Sequence, residues 1–509
     1  MSHTPSPRPL FGREEITSSV ARVDASNVVR VLESALKVHA KNRADIVFLD
    51  RYHRGDQPIL KRVKDVRPEI CNRVMENRAA EIVSFKVGYL MGEPVQYVAR
   101  GGGRISRGIR ALNDCMHAVG KSALDQELAE DFTVCGTAYR LILPNPRFGQ
   151  DEEAESPFDL FTLPVADTFV VYSNRVEREP LLGCTYAVRE EDGQKKTVYS
   201  VYTADGYYEL EDGSGSGSPP PSVAMEATAS PTGSVGGLKL VSAVPHALGH
   251  VPIIEYPAGR ARQGGFEIVV PILDAMNAVA SNRMDGIEQF VQALMMFKGV
   301  NISESDYKRL KDEGAILVPP DGDIKYLVQE LNQLQTQTLV DYMYNTALVI
   351  CGMPNRNGGS STSDTGAAVI MRDGWSDAEA RAKKTEMVFK RSERRTLTLA
   401  LRILRGMGVL KAAKPLKLSD IEIRFTRRNY ENIQMKSQVL TTMLGCEKID
   451  PRLAFAYCNL FPDPEEAYAS SARYYEERQN KLAAELDAAA KAERDKSASA
   501  SPPEGEDDA

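Results

Sequence analysis

Gly120-Lys121-Ser122 is the tripeptide most able to do chemistry. A Lys and a Ser behind a glycine-rich turn can hold a nucleotide's phosphates and its magnesium. That pattern needs a glycine five positions before Gly120, where backbone N–H groups must approach phosphate. Cys115 stands there, and the segment before it has helical character, so nucleotide binding is poorly supported. His246 and His250 lie four apart in PHALGHVP. On a helix that spacing would set two metal ligands on one face. Gly249 and the two prolines point to a turn instead, and no Glu follows the first His. The triplet at 101–103 is a loop rather than a GxGxxG turn, and no GxSxG elbow occurs. No carboxylate cluster has metal-ligand spacing. The expectation is a structural or assembly protein, not an enzyme, with no cofactor and no metal.

The elements that position these residues fill a chain of 509 residues, enough for roughly three domains. Apolar residues are 42% and charged residues 26%, ordinary for a globular chain. No run of about 18 apolar residues exists, so no membrane helix and no membrane partner are expected. The start, MSHTPSPRPLFGREE, lacks the apolar core of a secretory signal. The formal charge is −7. A protein that grips nucleic acid usually has a basic domain. If this chain handles DNA, it is suited to let DNA pass rather than hold it. Seven cysteines without CxxC spacing read as reduced thiols.

Residues 1–12 and 211–237 are rich in Pro, Ser or Gly, and 497–509 is an acidic tail. All three read as disordered. The block from about 13 to 130 reads as helical, with helix-period apolar residues in Val28–Lys41 and Asn72–Met91. From 131 to 257 the chain reads as β, with Asp-Gly pairs at 192–193 and 205–206 placed as hairpin turns. IEIRFTR (421–427) alternates as a strand that could return to that sheet. Asp450-Pro451 and Asp463-Pro464 mark helix starts, and 476–496 is an Ala/Glu/Lys-rich helix.

The segment 270–294 carries two stripes. Leu273, Met276, Ala280, Met284, Ile287, Val291 and Leu294 step by three or four, as a helix-packing face does. One residue on, Asp274, Asn277, Ser281, Asp285, Glu288 and Gln292 form a parallel polar face. That face reads either as ordinary surface or as the lining of a wet channel between copies. Residues 295–330 read as a small α/β insert, with FKGVNI a strand, Ser303 and Asp306 a capping box, and a hairpin around the DGD turn. A second helix covers 331–351. MPNRNGGSSTSDTG (353–366) has no apolar period and reads as a mobile loop. A helical pattern then runs from about 365 to 406, on the order of 60 Å.

In this order the elements resemble the portal (head–tail connector) proteins of tailed double-stranded-DNA bacteriophages, in their siphophage form. The resemblance rests on RYHRGDQPILKR (51–62), NRVMENRAAEIVSFKVGYLMGEPVQY (72–97), PHALGHVPIIEY (245–256), ILDAMNAVASNRMDGIEQF (272–290), DTGAAV (364–369) and VLTTMLGCEKIDPRLAFAYCNLFPDPEEA (439–467). It covers about 50 to 475. Thr365-Gly366 departs from the more usual Ser-Gly, and the 211–237 insert has no counterpart. The resemblance implies an α+β fold in several domains, with long helices and a mixed β wing. Residues 13–262, with 365–430, would be wing; 263–294 and 331–352 the stem helices; 295–330 the clip; 353–364 a tunnel loop; 431–475 the crown; and 476–509 a helical, then acidic, tail.

It further implies a homo-oligomeric ring, usually of twelve subunits, at one capsid vertex. The ring would be assembled in the bacterial host cytoplasm and become part of the virion. Double-stranded DNA would pass through it during packaging and ejection. Its partners would be the terminase large subunit, a head-completion or adaptor protein, and the major capsid and scaffolding proteins. Site residues follow from the same mapping. The tunnel loop would present Asn355, Arg356, Asn357, Ser360, Ser361, Ser363 and Asp364 to DNA. The stem channel face would be the polar stripe from Asp274 to Gln292. The clip would offer Lys298, Asp306, Lys308, Arg309 and Lys311 to terminase and adaptor. Two other classes are weighed against this one: a nucleotide-driven packaging ATPase using Gly120, Lys121 and Ser122, and a monomeric capsid-assembly adaptor.

Overall fold

The computed structural model describes residues 12–100, 105–191, 194–212, 237–291, 294–298, 303–305, 308, 322–327, 333–355, 374–409, 416–427, 433–458, 460–461 and 464–498. Contacts divide the chain into two units, residues 1–94 with 114–418 and residues 95–113 with 419–509. Helices and sheets mix as an α+β fold.

After a short strand, β1 (Ile16–Ser18), α1 runs Val28–His53. It continues well past Lys41 because Ile46, Leu49 and Tyr52 extend its apolar stripe into a second core. α2 begins only at Arg78 and ends at Met91. Asn77 is its N-cap, accepting the Ala80 N–H at 3.2 Å, so residues 72–77 stay outside the helix. β2 (Gln96–Ala99), α3 (Ile105–Ala118) and α4 (Lys121–Cys135) follow. Gly120 stands before α4 with φ +64°, a left-handed conformation that a glycine adopts without strain.

The β region forms two sheets. β3 (Thr137–Pro144) and β4 (Phe158–Leu163) are followed by β5 (Thr168–Ser173), β6 (Pro180–Glu191), β7 (Gln194–Tyr202), β8 (Gly206–Asp212), β9 (Leu238–Pro245) and β10 (Ile253–Pro257). One sheet has the order β1-β5-β6-β7-β8-β9, and the other β10-β3-β4. β1 pairs parallel with β5, and the others are antiparallel neighbours. Asp205 and Gly206 lie in the β7–β8 turn, as read from the sequence. Residues 192–193 and 213–236 lie outside the described residues. Val28, Val31, Leu32, Ala35 and Leu36 of α1 cover the six-stranded sheet through Phe169, Leu182, Val201 and Leu210. The sheets meet at Gly183, where an added Cβ would lie 2.5 Å from that of Ile253.

α5 spans Val270–Val291. β11 (Leu294–Lys298) pairs antiparallel with β12 (Asp323–Leu327). The strand expected at 297–302 thus starts earlier, and 315–320, expected as the hairpin partner of 324–329, lies outside the described residues. α6 (Gln333–Cys351) and α7 (Trp375–Gly406) complete the larger unit. Leu273 and Met276 of α5 and Leu348 and Cys351 of α6 share one core with Leu49 and Tyr52 of α1 and Ile82 of α2.

Four charged groups lock α7 onto this unit. Lys121 Nζ lies 3.2 Å from Glu393, and Arg140 lies 2.6 Å from Asp125 and 3.5 Å from Glu393. Lys121 also pairs with Asp125, and Tyr256 donates to Glu393 at 2.6 Å. Two cations meet two anions, so burial leaves no net charge.

In the smaller unit β13 (Ile421–Arg424) pairs antiparallel with β2, with Ile421 opposite Ala99. The strand read at 421–427 therefore does not join the large sheet. Its partner lies just after α2, a short segment with no strong strand signal. α8 (Ile433–Leu444), α9 (Pro451–Cys458) and α10 (Pro464–Ala498) close the chain. Pro451 and Pro464 each open a helix, as read. α10 begins twelve residues before the expected 476. Leu440, Phe455 and Cys458 form the small core, with Phe455 against Phe461 and Tyr468.

Candidate functional site

The polar stripe of α5 is covered by the chain's own extended segment. Asn72, Val74 and Glu76 donate backbone N–H bonds to Asp285, Ser281 and Asn277 at 2.7, 2.9 and 2.8 Å. Alternate strand residues lie about 6.7 Å apart and four helix residues span about 6 Å, so the two spacings match. Each of these three helix residues meets one backbone N–H of the strap, which runs antiparallel to the helix. Asn277 also donates to Gln57 at 2.6 Å, and Tyr52 donates to Asp274 at 2.9 Å.

The lower end of the stripe is ionic. Asp285 pairs with Arg62 at 2.9 Å and Lys64 at 3.0 Å, and Asn72 Nδ2 reaches Glu288 at 2.9 Å. Burial opposes ionisation of Asp285, but the Asn72 N–H and the two cations outweigh it and hold the carboxyl below its usual range. Higher up, burial raises the Asp274 carboxyl, and the Tyr52 hydroxyl only partly offsets it.

Of the residues read as a channel face, Asn277, Ser281 and Asp285 lie buried beneath residues 72–76, while Asp274 and Glu288 are half-buried. Asn277 and Ser281 are 0% exposed and Asp285 is 4% exposed. A polar helix stripe has the same sequence signature whether water or a hydrogen-bonding strand covers it. Gln292 lies outside the described residues. The exposed positions on these helices include polar residues, Asn282, Gln335, Gln337, Thr338, Asp341 and Asn345 among them, but also large apolar ones. Met284 and Ile287 on α5, and Leu339, Tyr342 and Val349 on α6, stand open.

Of the loop residues read as facing DNA, Asn355 is described and half-buried, while Arg356, Asn357, Ser360, Ser361, Ser363 and Asp364 lie outside the described residues. Of the clip residues, Lys298 and Lys308 are exposed, and Asp306, Arg309 and Lys311 lie outside. His246 sits in the turn between β9 and β10, where its Nδ1 accepts from the Leu248 N–H at 3.4 Å. Lys121 is held by buried carboxylates rather than open to a phosphate.

Sequence reading missed a cavity of about 240 Å³ at the end of α6. Phe85, Phe132, Ile268 and Ile350 wall it, with Lys86, Cys351 and Arg381 on its surface. Burial lowers the Lys86 amine and raises the Cys351 thiol, which donates to Gly265 O at 3.7 Å. A thiol held protonated is a poor nucleophile. No local sequence signal marks this site, because its walls come from segments far apart in the chain.

The description "Phage portal protein, SPP1 Gp6-like" belongs to the family model that matches residues 33–492. The chain belongs to that family. No curated protein matches this portal chain. A solved structure titled "Neck of empty GTA particle computed with C6 symmetry" is similar to it at 11% identity and a TM-score of 0.40, over 76% of this chain and 91% of that one. As a member of the portal family, the chain is a structural component of a bacteriophage particle.

Proposed function

We propose that copies of this portal chain close into a ring at one capsid vertex, a channel through which DNA is packaged and later ejected. One observation supports assembly above the others. Met284 and Ile287 on α5 and Leu339, Tyr342 and Val349 on α6 are exposed on two helices that pack together. Apolar residues gathered on one pair of helices mark a surface that a partner covers. A ring presents the same patch to a neighbour at every step.

The ring is non-enzymatic in this reading, and the energy for packaging comes from terminase. Lys298 and Lys308 belong to the surface that meets terminase and adaptor proteins. With the polar stripe of α5 sealed by the strap, the DNA contact falls to the 355–364 segment. Arg356 is its one basic residue. A net charge of −7 per chain suits passage, since many phosphate contacts would act as a brake. Arg356→Glu is expected to alter packaging or DNA retention while leaving assembly intact; loss of assembly in that variant would remove this role.

The deciding experiment is the particle mass of the purified protein by light scattering, with end-on electron-microscope views. Twelve copies of a 56.1 kDa chain weigh about 670 kDa. An open-centred ring is the expected result. A monomer that hydrolyses ATP in steady state would overturn the reading.

A further inference from the structure

We propose that α10 pairs with the α10 of a second copy as a coiled coil, with Leu482 and Leu486 at the centre of the seam. α10 has 35 residues, about 52 Å of helix. Its first turn is anchored, with Pro464 buried and Tyr468 against Phe455. From residue 469 to residue 492 every position is exposed. A solitary helix in water is marginal, so so long an uncovered stretch calls for a partner.

The pattern of side chains says what that partner is. Ala472, Tyr475, Gln479, Leu482, Leu486 and Ala489 follow one another at steps of 3, 4, 3, 4 and 3. That alternation averages 3.5 residues, the period of a helix that meets another helix along a straight seam. Tyr475, Leu482 and Leu486 are 65%, 50% and 64% exposed, so none of the described residues covers the seam. Gln479 is the single polar residue within it, the kind of position that fixes register between like strands. Ala484 and Lys491 fall on the opposite side. The helix carries eight acidic and six basic residues, so two copies meet without strong repulsion. The helix that repeats this pattern is α10 itself. A parallel arrangement rests on the ring reading above, because rotation about one axis keeps like ends together; the pairing as such does not.

The test is amide hydrogen exchange on the full chain at the concentration used for the mass measurement. It compares the natural chain with Leu482→Glu/Leu486→Glu and with the outer-face control Ala484→Glu/Lys491→Glu. Amides of 475–489 are expected to exchange at least about tenfold more slowly in the natural chain and the control than in the seam variant. A ring-sized particle whose 475–489 amides exchange as fast as those of the seam variant overturns the pairing and leaves the ring reading standing. Slow amides in a dimer that never reaches ring mass support the pairing and overturn the ring. Slow amides in a monomer, or only after a different protein is added, overturn the pairing.

Discussion

Asp285 Oδ1 accepts both the backbone N–H of Asn72, at 2.7 Å, and its side-chain amide, at 3.0 Å. The two residues are 213 positions apart, and this contact anchors the strap on α5. Asp285→Ala removes the acceptor and deprives Arg62 and Lys64 of the carboxylate they share. The expected loss is about 2–4 kcal/mol in urea unfolding. Ser281→Ala removes only neutral bonds, the one accepted from the Val74 N–H and those donated to Asn277 O and Val74 O, and is expected to cost about 1 kcal/mol. Equal losses for the two would contradict an ionic anchor.

The same contact has a pH signature. The folded carboxyl of Asp285 lies below its unfolded value near 3.8. Its contribution is therefore present above that value and lost as pH falls through the folded one. Protection of the 72–76 amides, taken relative to the intrinsic exchange rate at each pH, is expected to fall in acid before that of the rest of the larger unit. Asp285→Asn is expected to abolish that local step.

Asp131 behaves in the opposite sense. Burial, with Glu130, Asp50 and Glu127 nearby, pushes its carboxyl up to about 7, against the pull of Arg54. Between about 4 and 7 the folded chain holds a proton that the unfolded chain has released, so this group lowers stability as pH rises. Asp131→Asn is expected to stabilise the protein by about 1–3 kcal/mol at pH 8 and to change little near pH 4, read as Tm against pH. A gain that is the same at both pH values would rule this account out.

Glu393 accepts from Tyr256 and pairs with both Lys121 and Arg140 while 0% exposed. Glu393→Ala leaves two buried cations facing one carboxylate and is expected to cost about 3–5 kcal/mol. Lys121→Met with Asp125→Leu removes one charge of each sign, and its loss is expected to be smaller than that of Lys121→Met alone. Chemical denaturation of the three variants checks this.

Gly183→Ala places a methyl group against Ile253 between the two sheets. A loss of about 1–3 kcal/mol is expected, and adding Ile253→Val is not expected to recover it, because Val keeps the Cβ and both γ-carbons that the new methyl meets. A neutral Gly183→Ala would mean that the sheets separate more easily than this contact implies.

Local order was written in the sequence. Pro451 and Pro464 open their helices, Asp205-Gly206 turns β7 into β8, and the 3–4 stepping of Leu273 and Met276 predicts a buried helix face. Such features depend on a few neighbouring residues, so their physics is complete within the segment. The order of elements likewise carried the portal resemblance that the family match supports.

What only tertiary structure decided was the partner of each polar or strand-like surface. Nothing near Asn277, Ser281 or Asp285 reveals that residues 72–76 lie over them rather than water. Nothing near Ile421 reveals that Ala99 is its partner rather than the large sheet. Hydrogen-bond donors and acceptors look alike in sequence whatever satisfies them. Which group satisfies them depends on burial, and burial depends on segments hundreds of residues away.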